Sequence, residues 1–72
     1  MNLIGPQIRT IRESKSLTQE DLAARCNMEG WDISRSTLAK IESQVRRITD
    51  EEAAIIARAL GVKISKLYEN VE

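Results

Sequence analysis

Thr49-Asp50-Glu51-Glu52 is a helix start written in full, and Gly61, twelve residues on from Thr49, is the matching stop. A threonine at the N-cap accepts the backbone N–H of the third helical residue, and a glutamate at that position reaches back to the cap N–H. Between the two signals Ala53, Ile56, Ala57 and Leu60 recur at i, i+3, i+4 and i+7, one apolar stripe of a 3.6-residue period. A glycine directly after Leu60 takes the left-handed conformation that ends a helix. A helix of this kind is stable only when its stripe is buried against something else. The rest of the chain offers only more helices, because nothing alternates with period two for long and no hairpin dipeptide occurs.

Gly5-Pro6 opens a first helix, with proline where its missing N–H costs nothing. Ile4, Ile8 and Ile11 form its stripe, and it ends near Lys15. Thr18 starts a second helix by accepting the Asp21 N–H, with Asp21 near the positive helix end. That helix spans about Gln19 to Cys26, with Leu22, Ala23 and Cys26 inward. Ser34 caps a third, whose stripe is Leu38, Ile41 and Val45, leaving Arg35, Ser36, Thr37, Ala39, Lys40 and Ser43 outward. Short hydroxyls and two bases are an unusual dressing for a merely solvated face. Val62, Ile64, Leu67, Tyr68 and Val71 make a short final segment of one or two helical turns. The expectation is an all-α, compact domain of four to five helices over residues 1–72, with no repeat or linker.

The 72-residue chain carries no histidine and one cysteine, Cys26, which excludes an internal disulfide and leaves no ligand set for structural zinc. Neither a general-base histidine nor a glycine-rich phosphate loop is present, so an enzyme is not expected, and no cofactor or metal is called for. Cys26 lies on an apolar stripe and reads as a packed thiol rather than a redox sensor. No apolar run approaches the roughly 20 residues that span a bilayer, and Met1 to Ile8 does not read as a secretory signal, so a cytoplasmic location without a membrane partner is expected. Net charge is zero, yet residues 9–47 hold eight basic and six acidic side chains, whereas residues 48–72 hold three and five. That weak split suits a basic face on the first part of the domain.

The run "LTQEDLAARC…ISRSTLAKIE", followed by "ITDEEAAIIARALGVKISKLYE", resembles the Cro and lambda-repressor-like helix-turn-helix transcription regulators, the Xre family. The resemblance covers Ile4 to about Glu69. It rests on several features in order: Thr18-Gln19, Leu22-Ala23, the Ser-Arg-Ser-Thr opening of the third helix, Ile41-Glu42 and "ALGV". It implies a lambda-repressor-like fold in which residues of about 18–44 form the helix-turn-helix unit and the third helix enters the major groove of double-stranded DNA. It assigns base reading to Ser34, Arg35, Ser36, Thr37 and Lys40. Thr18, Gln19, Ser43, Arg46, Arg47 and Arg9 are implied to hold the DNA backbone, with Arg12 near it. Glu42 is expected in an internal salt bridge that orients a basic residue.

Against the family's short form, Met28 to Asp32 look like a five-residue insertion that lengthens the turn between the second and third helices. Trp31 is expected to anchor this loop, its ring on the core edge and its N–H on a carbonyl. Contact of Trp31 with DNA or a second subunit is the alternative. Gly30 supplies the bend, and Asp32 is expected to assist Ser34 in capping. The resemblance further implies a bacterial or phage-encoded, nucleoid-associated repressor of phage, mobile-element or restriction-control type. It would bind a palindromic operator as a homodimer through Leu67, Tyr68 and Val71, unless these residues only close the monomer's core. The rival reading is an antitoxin-like or adaptor module acting mainly through a protein partner.

Overall fold

The computed structural model describes residues 2–69 and contains, among them, α1 (Gly5–Ser14), α2 (Gln19–Met28), α3 (Arg35–Glu42), α4 (Asp50–Leu60) and α5 (Ile64–Leu67), with no strand. Among the described residues no helix is long and apolar enough to cross a membrane. Each start signal does what its chemistry requires. Thr18 accepts from Asp21 N and Thr49 from Glu52 N, and both boxes are closed by the acid's return bond to the cap N–H. Ser34 Oγ accepts the Thr37 N–H at 3.2 Å. Asp32 takes no part in that cap: it is exposed and makes no hydrogen bond among the described residues.

α1, α2, α3 and α4 all end in the same way. In each, a residue of positive φ (Ser16, Gly30, Gln44, Gly61) returns its N–H to a carbonyl three back, and the next residue returns its own five back. This pair of hydrogen bonds satisfies the last carbonyls and turns the chain sharply. The residue after the turn is apolar each time, and Leu17, Trp31 and Val62 pack against the core.

Val45 is the exception and corrects the expected stripe of the third helix. α3 stops at Glu42, so Val45 lies beyond the turn rather than on the buried face, and it is 73% exposed. The second helix likewise runs two residues past Cys26, so Met28 is its last residue and the connection begins at Glu29. Trp31 is half-buried against the core, and its peptide N–H bonds the Cys26 carbonyl at 3.1 Å. Its indole N–H meets no carbonyl among the described residues.

The apolar stripes converge as their periods require. Ile8, Leu22, Cys26, Leu38, Ile41, Ile56 and Leu67 are fully shielded at the centre. α2 and α4 pack together, α3 lies against α1 and α2, and α5 closes over α4. Leu67 therefore closes the core and has no surface to offer a second subunit, while Tyr68 is 44% exposed and Val71 lies outside the described residues. With each buried leucine or isoleucine contributing roughly 1.5–3 kcal/mol, α3 is fixed mainly by the apolar face it turns inward.

Candidate nucleic-acid interface

Burial of Leu38, Ile41 and Glu42 decides which side of α3 faces solvent. At about 100° per residue, Ser36, Lys40 and Ser43 fall together on the opposite side and Arg35 lies on the flank next to Glu42; all four are exposed. Arg35 and Lys40 make no ion pair among the described residues, so both charges stand free in solvent. Ser34 is spent on capping, and its hydroxyl also donates to Thr37 Oγ1 at 3.0 Å, which leaves Thr37 half-buried and engaged. Ser43 Oγ donates back to the Lys40 carbonyl.

At the start of α3, Arg35 shares a groove of about 530 Å³ with Arg9, Arg12, Thr18, Gln19 and Glu20. Its floor is polar and organised. Arg12 Nε and Nη2 donate to the two carboxylate oxygens of Glu42 at 2.7 and 3.1 Å, while Nη1 donates to the Leu17 carbonyl at 2.7 Å. Gln19 Nε2 adds a bond to Glu42 Oε1 at 3.1 Å. Hydrogen bonding to Glu42 holds the Arg12 guanidinium above its ordinary pKa, against the opposing cost of burial. One carboxylate at the end of α3 thus joins α1 and the first turn of α2. The expected internal salt bridge of Glu42 is present, and its partner is Arg12, which is buried and not free to meet a DNA backbone.

The other backbone candidates divide. Arg47 is exposed and makes no ion pair among the described residues. Arg46 is folded back: Nη1 and Nη2 donate to Glu52 at 3.1 and 3.0 Å, and Nη1 also bonds the Arg47 carbonyl. Those bonds raise the Arg46 pKa and hold the Glu52 carboxyl below the ordinary range. Arg9 is exposed and loosely paired with Glu13 at 3.4 Å. Thr18 is occupied by its capping box, whose bonds to Asp21 lower that carboxyl's pKa.

Two residues not anticipated from the sequence shape this surface. Asn2 is buried, and its Oδ1 accepts the Gly5 N–H at 2.6 Å. Gln44 Nε2 reaches the Asn2 carbonyl at 2.9 Å. The N-cap position of α1 is Ile4, so no capping signal marks Asn2. Nothing local marks Gln44.

The helix-turn-helix family model matches residues 8–67. The chain is similar to a protein named Control protein C.BamHI from Bacillus amyloliquefaciens, with 35% identity over 68 residues that cover 93% of this chain and 78% of that protein. No solved structure gives a significant match. Five helices with capped α2 and α3 at the matched positions, together with these similarities, place the chain in the Xre-type helix-turn-helix family of DNA-binding transcription regulators.

Proposed function

We propose that the protein is a sequence-specific repressor of restriction-control type that binds a palindromic operator as a homodimer and blocks access by occupying it. The observation that carries this reading is the free pair of bases on α3: Arg35 and Lys40 are exposed and unpaired among the described residues, whereas Arg12 and Arg46 are spent internally. Arginine and lysine donate to guanine O6 and N7 in the major groove, and Ser36 can serve base edge or phosphate. Arg47, Arg9, Gln19 and Ser43 lie where backbone contact would add affinity without sequence information. Similarity to a control protein supports the restriction-control reading over the phage and mobile-element ones.

A domain this small supplies few base contacts, which favours two copies on half-sites about one helical turn apart. The exposed apolar side chains Leu3, at 62%, and Tyr68, at 44%, offer a face for that pairing. Selection of bound fragments from random duplex DNA tests both parts, with Arg35→Ala, Lys40→Ala as the comparison. A two-fold motif that the double variant loses supports the proposal. Weak, salt-sensitive binding by both proteins without a motif overturns it and favours a protein partner.

A further inference from the structure

Asparagine amides brace α3 at both ends. Before its start, Asn27 Nδ2 donates to the carbonyls of Trp31 and Ile33 at 2.8 and 3.1 Å. At its last turn and just beyond, Asn2 Nδ2 donates to the carbonyls of Ile41 and Arg46 at 3.0 and 2.8 Å, across sequence separations of 39 and 44 residues. The second brace is the tighter one. Asn2 is 6% exposed, its Oδ1 is taken by Gly5 N–H, and its own carbonyl receives Gln44 Nε2. No room is left for slippage at this junction, since a Cβ on Gly5 would overlap the Ile41 carbonyl oxygen.

Gln44 sits at φ 69, a conformation that a side chain bearing a Cβ adopts at a cost and that glycine adopts freely. For turn formation alone glycine would serve better. The bond from Gln44 to Asn2 is what the glutamine adds, and it ties the turn after α3 to the segment before α1. The stretch so tied carries Ser43 and Arg47, both exposed, while Arg46 anchors its far side to Glu52.

We propose that Asn2 and Gln44 are positioning residues for DNA binding: the Asn2 amide on the Ile41 and Arg46 carbonyls and the Gln44 amide on the Asn2 backbone carbonyl fix the 43–47 stretch relative to α3, so that Arg47 and Ser43 meet the sugar-phosphate backbone while Arg35 and Lys40 lie in the groove. This rests on the DNA-binding reading above. Neither amide touches DNA. Each acts by ordering, before binding, a segment that would otherwise lose its freedom on the complex.

The test compares the wild-type chain with Gln44→Gly and Asn2→Ala, measuring affinity for the selected operator across a salt series at a temperature where circular dichroism shows all three folded. Gln44→Gly removes the tie and relieves the left-handed residue, two effects that oppose each other in melting. The expected result is a shallower dependence of log K on log salt in both variants, by about 0.9 for each phosphate that is no longer neutralised, with the base preference retained. A purely structural role would move melting and leave that slope alone. Gln44→Gly with wild-type slope and affinity overturns the proposal while leaving the DNA reading intact. A wild type that selects no operator removes both. If Asn2→Ala does not fold, Gln44→Gly decides the matter by itself.

Discussion

Arg12 of α1 and Glu42 of α3, thirty residues apart in sequence, meet through paired hydrogen bonds with side chains only 9% and 3% exposed. The pair is bidentate, and the remaining polar groups are served by the Leu17 carbonyl and the Gln19 amide. No buried side-chain nitrogen or oxygen is left without a partner among the described residues. The ion pair therefore sets the register of α3 against α1 and α2.

Breaking it from one side strands a buried charge. Glu42→Ala or Arg12→Ala should each destabilise the fold by about 3–5 kcal/mol in urea unfolding, whereas Arg12→Met combined with Glu42→Leu should come within about 1 kcal/mol of wild type or exceed it. Single variants that unfold at the wild-type urea midpoint would show that the pair contributes nothing to register.

Acid should weaken the fold through its caps. The Arg46 bond lowers the Glu52 carboxyl below its ordinary value of 4.5, and bonds to Thr18 lower Asp21 below 3.8. A depressed folded-state pKa means stability that is complete above the unfolded value and is lost as pH falls through the folded one. The melting temperature should therefore hold steady through mild acid and fall once pH drops below about 4.5, with a smaller fall in Glu52→Gln. An identical acid profile for Glu52→Gln would show that Glu52 plays no part in it.

Cys26 should be inert while the chain is folded. Burial pushes its thiol up to about 11, and the side chain is inaccessible. Iodoacetamide at about pH 8 should modify it only at the rate of unfolding, with full reaction in denaturant. Rapid labelling of the native protein would contradict its place in the core.

Trp31 separates packing from contact. Trp31→Ala should cost about 1–3 kcal/mol, less than a fully buried tryptophan, because the residue is only half-buried. A variant with unchanged stability and abolished operator binding would assign the indole to DNA or to a second copy.

The local grammar of the chain determined where its helices begin and end. Thr18, Ser34 and Thr49 each hold a backbone N–H three residues on, and Gly61 ends α4, because these signals act within a single turn and need no neighbour. The apolar periods named nearly all of the core for the same reason. What local rules could not reach was the use of each polar side chain once helices distant in sequence had met. Arg12 and Arg46 read as surface bases until Glu42 and Glu52 are brought beside them. Val45 read as core until the turn at Gln44 carried it past the end of α3. Asn2 and Gln44 read as nothing at all, since their partners lie some forty residues away. The inward faces were legible because burial is averaged over many neighbours and tolerates error in any one of them. Tertiary structure alone decided which charges stayed free, because an ion pair depends on one partner arriving at one place.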